Sequence, residues 1–187
     1  GSEMCIRDRI HAATDASAEL NEKDPRLMFD TVLEGTRRVL DFSCETGAER
    51  ILNLSSGAVY GIQPREMTSV AESWVGAADC TNPVNTYAEA KRAAEMLCAI
   101  YGKQFGLKIS SARIFAVLGP LLPIDTHFAA GNFIRDAVAG KKIIVKSSGA
   151  AVRSYLYVTD LVTALWLMLL HAQPGRSYNV GSDVPVS

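Results

Sequence analysis

Short apolar runs alternate along the chain with longer segments in which apolar residues recur every three or four positions. The apolar runs predict strands at residues 10–13, 50–54, 108–115, 143–146 and 177–180. The longer segments predict helices at residues 25–46, 84–105, 131–139 and 158–170. Nearly continuous apolar strands that alternate with helices predict an α/β fold, a doubly wound parallel sheet with both faces covered.

Paired hydroxyl side chains end the second predicted strand, where Ser55 and Ser56 are followed by Gly57. In open parallel sheets, ligands bind outside the carboxyl ends of the strands. The two serines therefore lie at the mouth of a candidate site. Serine at a strand end also caps turns without any ligand, and on this stretch alone the two interpretations stand equal.

Tyr87 and Lys91 lie four residues apart in the helix that follows. Positions i and i+4 share one helix face about 5–6 Å apart, so we expect the lysine ammonium to lower the tyrosine pKa from about 10. A lowered pKa suits a general base, and a serine hydroxyl within reach could hold the substrate oxygen. The spacing alone is a weak signal and becomes specific only in combination with the serine strand end.

Composition and charge argue against several classes of partner. The 187-residue chain is 48% hydrophobic, and its formal charge of -1 gives no support for a nucleic acid or an anionic membrane partner. The longest apolar run, residues 161–170, is far shorter than the ~20 residues of a membrane span. No metal site or disulfide framework is expected from the scattered cysteines, which predict free thiols and a cytoplasmic location: Cys5, Cys44, Cys80 and Cys98.

These motifs together resemble the extended short-chain dehydrogenase/reductase family, in particular its NAD-dependent epimerase/dehydratase group that acts on nucleotide sugars. SSGAVYG resembles the family's serine-containing strand end, and YAEAK its Tyr-x-x-x-Lys motif. IHAATD resembles the strand beneath the cofactor and EGTRRVL the helix after it. Further similar segments follow: ARIFAVLGP, RSYLYVTDL and YNVGS.

The resemblance implies roles for individual residues. Ser56 would be the catalytic hydroxyl, Tyr87 the base, and Lys91 the residue that binds the nicotinamide ribose and tunes the base. Ser56 and Tyr87 would also contact the substrate, a nucleotide sugar, whose diphosphate would meet Arg153. The NAD or NADP cofactor would lie against a set of residues along the sheet edge: Ala12, Ala13, Ser55, Tyr87, Lys91 and Phe115.

The resemblance also implies a Rossmann-like fold truncated at both ends, because no G-x-x-G-x-x-G turn occurs in the chain. We expect residues 1–9 to be a junction or tag and 10–120 to be the remainder of the dinucleotide-binding domain. Residues 121–187 would combine late Rossmann elements with part of a small C-terminal substrate domain. We further expect a homodimer through the two long helices, with the isolated chain binding NAD(P) weakly and showing no turnover.

The activity implied is that of an epimerase or a ketoreductase, an isomerase or oxidoreductase that works by hydride transfer. A nucleotide-sugar 4,6-dehydratase is the alternative, although Gly57 and Ala58 stand where those enzymes carry Asp-Glu. A non-catalytic NAD(P)-sensing protein on the same fold is an alternative of another class. The intact set of Ser56, Tyr87 and Lys91 argues against it, because a sensor has no need of a base.

Overall fold

Strands and helices alternate in the computed structural model, which describes residues 7–14, 16–64, 66–122, 124–125, 128–145, 149 and 152–186. In chain order the elements are β1 (Asp8–His11), α1 (Ala18–Lys23), α2 (Pro25–Glu45), β2 (Arg50–Ser56), α3 (Thr86–Phe105), β3 (Lys108–Ile114), β4 (Ala116–Leu118), α4 (Ala129–Val138), β5 (Arg153–Tyr157), α5 (Val158–His171), β6 (Ser177–Val180) and β7 (Pro185–Val186). Short 3-10 turns occupy Gly57–Tyr60 and Pro83–Asn85.

The main sheet is parallel and has the strand order β1-β2-β3-β6. β2 pairs with β1 from Asp8↔Arg50 to His11↔Asn53 and with β3 as far as Ser56↔Ile114. Because all four strands run in the same direction, their carboxyl ends lie along one edge of the sheet. The predicted parallel α/β fold is confirmed. In the described part of the chain, β1 forms one edge of this sheet.

The two long predicted helices are confirmed to within two residues at each end. α2 begins where the Asp24 side chain accepts a hydrogen bond from Leu27 N–H at 2.9 Å, with Pro25 at the first helical position. α3 ends at Gly106, whose φ of +72° lies in the left-handed region that favours glycine. These local signals explain why both helices could be predicted from the sequence.

The core lies between α2, α3 and the two central strands. One buried cluster joins them through Leu40, Ala48, Ile51, Leu97, Cys98, Tyr101 and Ile109. Fully burying one large aliphatic side chain contributes about 1.5–3 kcal/mol, so these contacts fix α3 on the sheet. A second buried cluster, named here the α2–α3 cluster, packs against Tyr87 and consists of Met28, Val32, Ala90 and Ala94.

The two long helices pack closely against each other within the chain. Ala94 is only 1% exposed, and its small side chain lets α2 approach α3. The homodimer that we expect through the same two helices stays a prediction, since a contact inside one chain does not test it.

Two of the predicted strands need correction. β1 ends at His11, so Ala12 and Ala13 lie in exposed irregular backbone instead of in the strand. β1 also begins at Asp8 and therefore includes residues 8 and 9, which we expected to belong to a junction. The strand predicted at residues 143–146 is wrong for 143–145, which are irregular and exposed, whereas Lys146 lies outside the described residues. Hydrophobicity alone predicted that strand, and no neighbouring strand pairs with it in the described residues.

A small mixed sheet forms from three strands that sequence reasoning missed. β5 pairs in parallel with β4 and antiparallel with β7. β4 and β7 have only three and two residues, which is too short for a periodic signal, whereas β5 has five residues and was overlooked. They belong to a second unit, which comprises Phe115–Thr163 and the residues from Gly181, whereas the first unit comprises the residues up to Ile114 and Ala164–Val180.

Candidate active site

Ser56, Tyr87 and Lys91 come together where β2 ends beside the first turns of α3. The Ser56 hydroxyl lies close enough to the Tyr87 phenol to lower its pKa, and it accepts a hydrogen bond from Ala58 N–H at 3.2 Å. Lys91 Nζ lies 5.9 Å from the centroid of the Tyr87 ring and donates to the carbonyl oxygen of Leu54 at 2.7 Å. The three residues predicted to be catalytic therefore occupy one site.

Ser55 has a different environment from its neighbour. Its side chain is buried, and its hydroxyl donates to Glu95 Oε1 at 2.6 Å. Of the two serines, Ser56 is thus the one beside Tyr87, which agrees with the prediction that Ser56 is the reactive hydroxyl. A cofactor contact of Ser55 would have to use its backbone, and that contact stays a prediction.

The pKa of Tyr87 is raised, and the expectation that Lys91 lowers it is wrong for this structure. Burial of the phenol is the main cause, and the nearby Ser56 hydroxyl offsets it only in part. Two contacts explain why the pKa of Tyr87 is raised instead of lowered. Tyr87 packs against the α2–α3 cluster, and the Lys91 ammonium is directed to the carbonyl oxygen of Leu54.

Lys91 is itself strongly perturbed, because it is only 5% exposed. Burial lowers its pKa from 10.5 to about 8, although Cys98, where its thiol is ionised, and the Glu95 carboxylate act in the opposite direction. An ammonium with this pKa is mostly charged at neutral pH and becomes mostly neutral when the pH rises above about 8. The site therefore holds a cation in a place that is unfavourable for the stability of the fold.

We expect the free energy of unfolding of Lys91→Met, relative to that of the wild type, to be highest at neutral pH. The folded chain holds the Lys91 proton less tightly than the unfolded chain, so the wild-type penalty is full below about pH 8 and disappears as the pH rises to 10.5. That pKa difference corresponds to about 3 kcal/mol, by which the stability difference between variant and wild type should change. Urea unfolding across this pH range measures it.

Lys103→Met, at an exposed position of the same helix, controls for the introduction of methionine. A stability difference between Lys91→Met and wild type that stays constant across the range would contradict the burial of a charged Lys91.

His11 is a buried neighbour of Lys91 whose contacts sequence reasoning missed. Its Nε2 lies 3.1 Å from Thr36 Oγ1, and that hydroxyl donates its own proton to the Val32 carbonyl oxygen at 2.7 Å. Thr36 must therefore accept from His11, which assigns the proton to Nε2. Burial, together with the charge of Lys91, lowers the pKa of His11 and favours the neutral ring.

Asn21 of α1 fixes the start of α3. Tyr87 N–H donates to Asn21 Oδ1 at 2.9 Å, and Asn21 Nδ2 donates to the Val84 carbonyl oxygen at 2.9 Å. The side chain of Asn21 thus satisfies a backbone N–H that the first turn of a helix leaves unpaired. Sequence reasoning missed this contact because it did not predict α1.

The carboxyl end of β1 carries Ala12 and Ala13, whose predicted contacts with the cofactor stay predictions. Ala12 and Ala13 present small side chains on exposed backbone, which leaves room for a flat ring. The Thr14 hydroxyl is buried and has no hydrogen-bond partner among the described residues. With the Lys91 ammonium, it offers polar groups of the kind that ribose hydroxyls bind. No group of three His, Cys, Asp or Glu side chains in the described ranges could hold a metal ion.

Phe115 and Arg153 belong to the second unit. Phe115 is half-buried directly after β3, and Arg153 is exposed on β5 with its Nη1 donating to the Val152 carbonyl oxygen at 2.9 Å. Their predicted contacts with the nicotinamide and with the substrate diphosphate stay predictions.

A parallel sheet with a site along its carboxyl edge defines the Rossmann-like class of fold. The sequence profile of the NAD dependent epimerase/dehydratase family matches residues 6–181, and the chain belongs to that family. No helix among the residues described is long and apolar enough to cross a membrane.

Individual relatives differ in activity. UDP-glucuronic acid decarboxylase 3 of Arabidopsis thaliana is 35% identical over 179 residues, which cover 94% of this chain and 50% of that protein. The structure of RMD from Pseudomonas aeruginosa complexed with NADPH matches with a TM-score of 0.85 at 26% identity, over 99% of this chain and 63% of that one. UDP-glucose 4-epimerase from Thermus thermophilus, in complex with NAD, matches with a TM-score of 0.82 at 28% identity, over 96% and 58%. The chain thus spans about half the length of the curated relative.

Proposed function

We propose that the protein carrying this chain oxidises a hydroxyl of a nucleotide-activated sugar with NAD or NADP, as the first step of its reaction. The observation that carries the proposal is the placement of the Ser56 hydroxyl beside the Tyr87 phenol, with the Lys91 ammonium 5.9 Å from the same ring. Membership of the epimerase/dehydratase family supports it, as do neighbours of similar fold in complex with NAD or NADPH.

Each residue has a defined task in this step. Tyr87, as the phenolate, takes the proton of the sugar hydroxyl, while Ser56 donates a hydrogen bond that holds the same oxygen. Lys91 holds the end of β2 through the carbonyl oxygen of Leu54 and offers further N–H donors to the cofactor ribose. When bound, the nicotinamide accepts the hydride that leaves the sugar carbon. Because burial raises the pKa of Tyr87, the rate of this oxidation should rise with pH above neutrality.

The fate of the oxidised sugar separates two candidate activities. An epimerase returns the hydride to the other face of the same ketone with the same groups, and the cofactor is reoxidised. A ketoreductase runs only this reverse step, on a keto sugar with NADH or NADPH. Decarboxylation of a UDP-uronic acid is the second candidate, favoured by the relative at 35% identity. There, oxidation next to the carbon that bears the carboxylate gives a β-keto acid, which loses carbon dioxide. Dehydration is less favoured, since Gly57 and Ala58 supply neither acid nor base.

Product masses from the full-length protein test the proposal and separate its branches. The protein is incubated with NAD+ or NADP+ and, in turn, UDP-glucuronic acid, UDP-glucose and dTDP-glucose. An epimerase leaves the mass unchanged and gives a new isomer, a decarboxylase removes carbon dioxide, and a dehydratase removes water. We expect conversion of at least one of these sugars. Tight binding of NAD(P) with no conversion of any of them would support the non-catalytic alternative and overturn the proposal.

A further inference from the structure

Glu95 is a buried carboxylate on which three strands converge. Arg113 of β3 donates to it through Nε at 3.0 Å and Nη2 at 2.7 Å, and the Ser177 hydroxyl of β6 donates at 3.1 Å. The Ser55 hydroxyl of β2 donates at 2.6 Å. The Glu95 and Arg113 side chains are only 14% and 16% exposed, so this is a largely desolvated, two-pronged ion pair.

The position of Glu95 on α3 connects it to the candidate site. Tyr87, Lys91 and Glu95 follow one another at intervals of four and so share one helix face. Three successive residues of β2 each meet one of these side chains. Leu54 and Ser55 are hydrogen-bonded to Lys91 and Glu95, and the Ser56 hydroxyl lies beside Tyr87. The end of the strand is thus joined to the helix at three consecutive points, and Glu95 holds the middle one.

Arg113 extends the same network to the segment that follows β2. Its Nη1 donates to the Tyr60 hydroxyl at 2.8 Å, and its guanidinium lies 4.8 Å from the centroid of that ring. Tyr60 in turn donates to Asn179 Oδ1 at 2.7 Å, while Asn179 N–H donates to Glu72 Oε1 at 2.9 Å. Ser55 on one side of Ser56 and Tyr60 on the other are therefore both hydrogen-bonded to a member of the Glu95–Arg113 ion pair.

Charge gives Glu95 a second effect on the site. The titratable groups that face Lys91 are Tyr87, Cys98 and Glu95 on its own helix and His11 on β1. Burial raises the pKa of the Cys98 thiol to about 12, and His11 and Tyr87 are neutral at neutral pH. Burial alone would raise the pKa of Glu95, but its hydrogen bonds from Arg113 and Ser55 outweigh this and keep it ionised. Glu95 is thus the negative charge among these groups.

We propose that Glu95 is a positioning residue of the candidate site, which orients Ser56 through Ser55 and places a carboxylate on the helix face that carries Lys91. The inference rests on the proposed function for its catalytic meaning, whereas its electrostatic part concerns this chain alone. If Arg113 fully compensated the charge of Glu95, removal of that charge would leave the protonation of Lys91 unchanged. The two accounts therefore differ in a measurable property.

The test is the titration of the Lys91 ammonium, followed by nitrogen NMR of the 187-residue chain. Glu95→Gln keeps the size of the side chain and its acceptor oxygen but removes the charge. We expect the pKa of Lys91 to fall by about one pH unit in this variant. Glu89→Gln is the matched control, because Glu89 is a partly exposed glutamate of the same helix paired with Arg92. That variant should leave the Lys91 titration at its wild-type position.

A double variant, Glu95→Gln with Arg113→Gln, guards against failure of the single variant to fold, since it leaves no unpaired buried charge. We expect the pKa of Lys91 to fall in the double variant as well. A Lys91 pKa within about 0.3 pH unit of wild type in the variants that fold would overturn the proposal. This measurement needs no turnover, so its failure is distinct from failure of the proposed function.

In the full-length protein, Ser55→Ala tests the positioning arm. The variant keeps the charge of Glu95 but removes its link to β2, so we expect kcat to fall about tenfold with KM nearly unchanged. Ser55→Thr, which restores a hydroxyl, should recover most of that loss. An unchanged kcat in Ser55→Ala would overturn the positioning arm.

Discussion

Tyr87→Phe in the full-length protein is expected to lower kcat by about 100- to 10,000-fold, the usual contribution of general acid–base catalysis. The variant removes only the phenolic oxygen, the atom that would take the proton of the sugar hydroxyl. The ring would still pack against the α2–α3 cluster, so the fold and cofactor binding should be retained. Steady-state kinetics with the converted nucleotide sugar, together with a cofactor titration, measures both quantities.

Tyr101→Phe is the matched control for this experiment. Tyr101 lies on the same helix and also hydrogen-bonds through its hydroxyl, but its partner is Asp41, away from β2. The kcat of Tyr101→Phe should stay at the wild-type level. A Tyr87→Phe enzyme within about threefold of wild-type kcat would rule out Tyr87 as the base.

Arg113→Met is expected to destabilise the chain by about 3–5 kcal/mol, the usual cost of leaving one partner of a buried ion pair uncompensated. Without Arg113, the carboxylate of Glu95 would keep only hydroxyl donors, those of Ser55 and Ser177. Urea unfolding at neutral pH measures the loss. Because hydrogen bonds and the Arg113 charge outweigh burial and lower the pKa of Glu95, the stabilisation that Glu95 gives the wild-type fold should be complete above pH 4.5 and decline as the pH falls below it.

Two comparisons make this prediction specific. Arg37→Met breaks an exposed pair with Glu34 and should cost less than about 1 kcal/mol. The double variant Arg113→Met with Glu95→Met removes both buried charges and should recover much of the loss. If Arg113→Met cost no more stability than Arg37→Met, the Glu95–Arg113 ion pair would not be stabilising the contact of α3 with the sheet.

The parts of the site that follow local rules could be predicted from the sequence. Tyr87 and Lys91 share a helix face because of their spacing, and the helix itself is marked by the glycine at its end. The run of apolar residues that predicts β2 ends just before the two serines, so the sequence places Ser56 at the carboxyl end of that strand. The parallel sheet likewise followed from the alternation of strands and helices.

Other parts depend on contacts between distant residues and left no local signal. The partner of Ser55 lies 40 residues away, and that of Tyr60 in β6 lies 119 residues away. The raised pKa of Tyr87 depends on how deeply α2 buries the ring, which spacing along one helix does not show. Apolar content predicted a strand at residues 143–146, although a strand also needs a neighbour to pair with.

The central claim is that Tyr87, Ser56 and Lys91 support hydride transfer from a nucleotide sugar, and the absorbance of reduced nicotinamide tests it most directly. The full-length protein is mixed with NAD+ or NADP+ and its nucleotide sugar, with hydrogen or deuterium on the carbon that is oxidised. We predict that reduced nicotinamide forms in the wild type, forms more slowly from the deuterated sugar, and is not detected on the same timescale in Tyr87→Phe. Product formation without any reduced nicotinamide, or formation at the wild-type rate in Tyr87→Phe, would contradict the account.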